Sequence, residues 1–262
     1  MANYTPALDY NQQPFGLDIS SNQGMIDWDK LANGPLPVKF VGIRLGISWG
    51  YADKWFARNW AEAKRVGCHR AAYHALYPGE AIKPQIDLIA KLLGGDMGDL
   101  PFVPDIELSH NLPYTKIRTA AYEYVNRIRD LIKRTPIIYT RAEWWNTYVT
   151  GPGDPPEWYQ DFDWWLALYL SSGLPHPGPL TAPRGVPVER ILVHQVSDHT
   201  PSLGYGIKQL GKDSSKMLDY DRWLGTPDSL LKLAGVYLPP PVMAETQLDR
   251  IERGVNELLG RA

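Results

Sequence analysis

The chain has 262 residues, 44% of them apolar, with 27 Lys and Arg against 29 Asp and Glu. That length suits one β/α barrel or two small cores, and the apolar share is that of a folded protein rather than a disordered one. A near-zero net charge without a basic stripe argues against nucleic acid as the partner, because neutralising phosphates takes clustered Lys and Arg.

A single cysteine, Cys68, excludes an internal disulfide and reads as a small buried residue. No run approaches ~18 consecutive apolar residues, so no membrane span is expected. Residues 1–14 are polar and lack the apolar core of a secretory leader. Synthesis in the cytoplasm is the resulting expectation, with any extracellular target reached by another route. Ten Trp and fifteen Tyr are many for this length. Most belong to the core, but flat faces with polar tips also suit sugar binding.

In chain order, residues 15–20 read as a first strand and 38–45 (VKFVGIRL) as a second. A helix over 53–66 follows, with Trp55, Phe56, Trp60, Ala63 and Val66 near one face and Gly67 as its stop. Residues 68–76 form a third strand, 83–93 a helix and 100–107 (LPFVPDIE) a fourth strand. The segment 115–133 carries the clearest helical period, through Ile117, Ala121, Tyr124, Val125, Ile128, Leu131 and Ile132. A fifth strand at 135–140 and a short helix at 142–149 precede a Pro- and Gly-rich loop at 151–156. Strands follow at 164–169, 190–197 and 217–223, and the stretch 171–187 holds too much Pro and Gly for a helix.

Strand–helix alternation predicts a parallel sheet. Its loss after about residue 150 predicts an irregular, TIM-like α/β barrel, with regular βα units first and β-only staves afterwards. The expected division is an extension at 1–14, a barrel at 15–236 and a tail at 237–262. In that tail Pro239-Pro240-Pro241 precedes Ala244, Leu248, Ile251, Val255 and Leu258, spaced as a short amphipathic helix. It is a candidate for docking, for self-association or for attachment to a virion.

The main chemical signal is Asp105-Ile106-Glu107 at the end of an apolar strand. Side chains two apart on a strand share a face, so both carboxylates point one way and Ile106 the other. At the C-terminal mouth of a barrel, that is where catalytic groups sit. Two close carboxyl groups also split into an acid and a base, the division that glycoside cleavage needs. On its own the pattern is weak and more often marks a solvated strand-end pair, a helix cap or a metal site. Asp18 ends the first strand and Asp219 lies in the last, so barrel closure would bring them together. Otherwise Asp18 reads as a turn former, and Asp219 and Asp221 as solvated loop residues. His74 and His194 are candidates to orient a carboxylate, or are buried core histidines. No metal-binding spacing, nucleotide loop or G-x-S-x-G occurs, and no cofactor is implied.

Taken together these residues resemble glycoside hydrolase family 25, the lysozyme family of many bacterial and phage muramidases. The similarity runs over roughly residues 15–225. It is carried by Gly16-Leu17-Asp18-Ile19-Ser20, Gln23-Gly24, Ile26-Asp27-Trp28, Asp53, Phe56, Asn59, Ala63-Lys64 and Gly67. It continues through Tyr73-His74, Asp105-Ile106-Glu107, residues 136–140 and 165–169, His194-Gln195 and residues 218–221. The chain departs from the family at Ile47-Ser48-Trp49-Gly50, which lacks the usual acid, and at His194, which replaces an aromatic residue.

The resemblance implies hydrolysis of the β-1,4 bond between N-acetylmuramic acid and N-acetylglucosamine in bacterial cell-wall peptidoglycan, with retention of configuration. Glu107 would be general acid and then base, and Asp105 would orient the substrate acetamido group or stabilise the cation. Asp18 and Asp219 would complete the catalytic set by binding sugar and tuning Glu107. Tyr73, His74, Tyr139, Trp165, Tyr169 and Gln195 would line the groove. A glycan-binding or virion module without catalysis, and a hydrolase of another polysaccharide such as chitin, stay open as alternatives. The missing leader suits an endolysin-like protein released to the wall.

Overall fold

A computed structural model describes residues 12–34, 37–169, 180–201 and 217–236. Eight strands close into a barrel: β1 (Phe15–Ile19), β2 (Phe40–Ile47), β4 (His69–Ala75), β5 (Val103–Asp105), β6 (Ile137–Thr140), β7 (Asp163–Ala167), β8 (Ile191–Pro201) and β9 (Met217–Trp223). The short β3 (Tyr51–Ala52) folds back on β2 as a hairpin. Pairing is parallel from β1 through β2 and on to β8. The last strand differs, because β9 runs antiparallel to both β8 and β1. This accounts for the β8–β9 step alone: an antiparallel neighbour needs no long crossover, whereas β6–β7 and β7–β8 are still parallel pairs.

Helices cover the first half: α1 (Trp28–Ala32), α2 (Phe56–Arg65), α3 (Ile82–Leu93) and α4 (Tyr114–Ile132), then α5 (Ala142–Trp145) and α6 (Pro227–Leu233). In α4, Ile117, Ala121, Tyr124, Val125, Ile128 and Ile132 are buried, as the 3.6-residue period predicts, while Leu131 is only partly so. The helix before β4 begins at Phe56 instead of residue 53. Asp53 stays outside it and accepts from Trp55 N (2.9 Å), Ser21 N (2.7 Å) and Arg44 Nε (3.1 Å). Neither α1 nor α6 was expected from sequence. Each carries a readable cap: Asp27 accepts from Lys30 N, and Thr226 accepts from Ser229 N ahead of a first-turn proline. The 3₁₀ turn at Val188–Arg190 is the one helical piece described between β7 and β8. The predicted tail helix lies outside the described residues.

Small residues let large ones fill the barrel. A Cβ on Gly16 would meet the Phe40 ring at 2.3 Å, and one on Gly42 would lie 3.2 Å from Trp165. Phe40, Trp165 and Trp223 thus pack edge-on at centroid separations of 5.9 and 6.2 Å and plug the lower barrel. Outside it, Arg70 is 2% exposed, stacks 4.4 Å from the Trp60 ring and pairs with Asp96 (2.9 Å) and Asp99 (2.8 Å). That pairing ties the loop ahead of β5 to β4. Cys68 is buried against the Val38 carbonyl, where burial pushes its thiol up to about 11.

Candidate active site

Above the aromatic plug, residues at the strand ends enclose a cleft of about 290 Å³. Period-2 alternation aims them inward. Asp18 comes from β1, Tyr73 from β4, Asp105 from β5, Tyr139 from β6, Trp165 from β7, Gln195 from β8 and Asp219 from β9, and all line the cleft. Closure sets Asp18 directly opposite Asp219 across the β1–β9 ladder. Because β9 runs downward, Asp219, near its start, sits at the same upper end as Asp18, near the end of β1. On β5, Asp105 pairs with Ala75 on one side and Tyr139 on the other.

Glu107 lies two residues beyond the end of β5 and also lines the cleft, while Ile106 is buried in the outer core. Two contacts hold this turn to β6: Ile106 N donates to Tyr139 O (3.0 Å), and Thr140 Oγ1 donates to Ile106 O (2.8 Å). The same strand end delivers Arg141, whose Nη2 lies 3.5 Å from Glu107 Oε2. The Glu107 side chain keeps 30% of its exposure and Arg141 58%, so this pair sits at the open rim.

Beneath the rim the carboxyl groups are crowded, with Asp105 and Asp221 buried and Asp18 and Asp219 partly so. Burial, then the neighbouring Asp221 charge, raises Asp18 well above the ordinary carboxylate range. Burial and the Asp18 charge push Asp219 up to about 9. A hydrogen bond between the two lowers one and raises the other, as one shared proton requires. Asp105 is raised by burial and by Glu107, against the pull of Arg44 and Arg141. Its Oδ1 is buried and has no hydrogen-bond partner among the described residues. Deeper still, Asp221 is fully buried; its Oδ1 accepts from Trp165 Nε1 (2.9 Å) and burial raises it too.

Gln195 organises the far wall. Its Oε1 accepts from Tyr139 OH (2.9 Å) and from Tyr169 OH, which turns Nε2 to donate to Asp18 Oδ2. Tyr169 follows β7, whose end is tied to β8 by Leu168 N donating to Gln195 O (3.1 Å) and His194 Nε2 donating to Leu168 O (3.0 Å).

Nine of the ten residues expected at the groove line it, and His74 does not. On β4, Tyr73 faces inward, so His74 faces outward. It is fully buried, with Nε2 donating to Ser48 O (2.6 Å) and Nδ1 2.6 Å from Tyr124 OH. Alternation along the strand, applied to Tyr73-His74, would have excluded it. Asp221, read as a solvated loop residue, is instead buried beneath Asp18. Sequence reasoning also missed Arg44, Ile47, Leu108, Arg141 and Asp198 on the cleft wall. Arg44 is legible in hindsight, two residues beyond Gly42 on an alternating strand; Arg141 and Asp198 carry no local signal. Among the described residues, no group of three or more His, Cys, Asp or Glu could hold a metal ion, and no helix is long and apolar enough to cross a membrane.

The chain resembles proteins of known kind in both sequence and shape. It is 32% identical over 142 residues to Lysozyme M1 of Streptomyces globisporus, covering 50% of this chain and 48% of that protein. It is 28% identical over 158 residues to YegX of Escherichia coli (strain K12), covering 59% and 56%. The chain thus spans about half the length of these curated relatives. The crystal structure of the bacterial lysozyme from Streptomyces coelicolor shares the fold with a TM-score of 0.65 and 26% identity, over 85% of this chain and 97% of that one. The pattern of Glycosyl hydrolases family 25 matches residues 17–199, a span that holds Asp18, Asp105, Glu107 and Gln195. With a barrel of the same shape and the acids gathered at its mouth, the chain belongs to glycosyl hydrolases family 25.

Proposed function

We propose that the protein is a muramidase that hydrolyses the β-1,4 bond between N-acetylmuramic acid and N-acetylglucosamine in bacterial peptidoglycan. The observation that carries this reading is the convergence of Asp18, Asp105, Glu107 and Asp219 on one cleft, with Glu107 at its open end. Glycoside cleavage needs a proton donor within reach of the bridging oxygen and a polar group facing the developing cation. Glu107 is the group that reaches a polymer lying across the rim. It gives its proton to the leaving oxygen, and as carboxylate it later takes one from the incoming water. Arg141 stabilises that carboxylate between the two steps.

Asp105, raised by burial and by Glu107, keeps its proton and so serves as a hydrogen-bond donor or orienting group. A neutral Asp105 favours the substrate's own acetamido oxygen as the group that closes on the anomeric carbon, giving retention after two displacements. Asp18 and Asp219, with Gln195 and Tyr169 beside them, hold the sugar ring on the opposite wall. No step in this sequence requires a cofactor.

The test is mass spectrometry of peptidoglycan digested by wild type and by Glu107→Gln. Wild type is expected to release fragments with reducing muramic acid ends, and Glu107→Gln to bind walls without releasing any. Undiminished cleavage by Glu107→Gln, or release of reducing glucosamine ends instead, would overturn the proposal.

A further inference from the structure

The β2–β3 hairpin carries two exposed aromatic side chains at the barrel mouth. Trp49, in the turn, is 57% exposed, and Tyr51 is 42% exposed. The hairpin is continuous with the cleft wall, since Arg44 and Ile47 of β2 line the cleft just before the turn. An indole held in water next to a polymer-binding groove forgoes the burial that a core tryptophan enjoys.

The hairpin is also held in place. Ile47 pairs with Tyr51 and Gly46 with Ala52, so closely that a Cβ on Gly46 would lie 2.3 Å from Tyr51 O. Ser48 adopts a left-handed backbone (φ 56°), rare for a residue with a side chain. Three contacts hold it there. His74 Nε2 donates to Ser48 O (2.6 Å), Ser48 N donates to Ala75 O (3.1 Å), and Ser48 Oγ donates to Glu80. At the other arm, Tyr51 OH lies 3.0 Å from Ser21 Oγ, and the Arg44 guanidinium is 5.6 Å from the Tyr51 ring centre. His74, which faces away from the cleft, thus anchors the turn beside it.

We propose that Trp49, flanked by Tyr51, is a saccharide-stacking subsite that grips the glycan strand beyond the bond being cut. The inference rests on the muramidase reading of the cleft and extends it to a longer substrate. A pyranose presents a face of C–H groups that an indole covers well, and a preformed aromatic face loses little conformational freedom on binding.

The experiment compares Trp49→Ala and Trp49→Phe with wild type on long soluble glycan strands and on tetrasaccharides. For Trp49→Ala, kcat/KM on long strands is expected to fall about tenfold, chiefly through KM, against less than about twofold on tetrasaccharides. Trp49→Phe should recover most of the loss. An equal loss on both substrates, or none on long strands, would overturn the subsite. A second arm separates this from failure of the cleft reading. In the Glu107→Gln background, co-sedimentation with purified insoluble peptidoglycan needs no cleavage. Weaker sedimentation on adding Trp49→Ala supports the subsite even if wild type cuts no glycan; sedimentation unchanged by Trp49→Ala, or none by Glu107→Gln itself, overturns it.

Discussion

Asp219→Asn should make the protein more stable at neutral pH, by an amount that grows with pH. The native state holds a proton on Asp219 up to about pH 9, whereas the unfolded chain releases it near 3.8. A carboxyl raised by folding binds more protons in the native state, so stability is lost as pH rises from 3.8 towards 9. At about 1.4 kcal/mol per pH unit, the ceiling at pH 7 is about 4 kcal/mol. Asp219 shares its proton with Asp18 and keeps some contact with solvent, so about half of that, ~2 kcal/mol, is expected. The asparagine amide can still donate to Asp18, so the substitution removes the penalty without removing the hydrogen bond. At about 2–4 °C per kcal/mol for a domain of this size, Tm should rise by about 4–8 °C at pH 7. Thermal melts of both proteins at pH 4, 6 and 8 read the effect. The gain should nearly vanish at pH 4 and be largest at pH 8, while kcat falls. A gain that is the same at every pH, or a loss that deepens with pH, would refute the shared-proton account.

The buried histidines act with the opposite sign. Burial lowers His194 to about 4, so the unfolded chain takes up its proton first, and stability is lost as pH falls from 6.5 to about 4. His194→Gln, which keeps a donor for Leu168 O, should flatten that acid limb by about 3 kcal/mol in urea titrations at pH 4.5 and 7. Gly16→Ala drives a methyl into the Phe40 ring and should cost about 1–3 kcal/mol by overpacking, read as a lower urea midpoint at unchanged slope. Arg70→Met keeps an apolar side chain against Trp60 but removes the guanidinium, and with it the cation–π contact and the partner of Asp96 and Asp99. With those carboxylates partly exposed, the expected loss is about 1–3 kcal/mol, and circular dichroism melts in low and high salt should show it shrinking in salt.

Local pattern determined much of this protein. The period of two along its strands already turns Asp18, Tyr73, Asp105, Tyr139 and Gln195 to one face and Ile106 to the other. The 3.6-residue period of α4 already marks its buried stripe, and the lack of helical pattern after residue 150 already points to bare staves. The same rule excludes His74 once it is applied next to Tyr73, and the caps at Asp27 and Thr226 mark two helices without any tertiary information. These features are legible because side-chain direction and end-capping depend on residues only a few positions apart.

Tertiary structure alone decided the rest. That β9 inserts antiparallel between β8 and β1, setting Asp219 against Asp18 and burying Asp221 below them, depends on strands some 200 residues apart. The meeting of Glu107 with Arg141, and the grip of Arg70 on Asp96 and Asp99, likewise arise between segments with no pattern in common. Burial and the charges of distant neighbours set the protonation of a carboxyl, and both exist only once the barrel has closed.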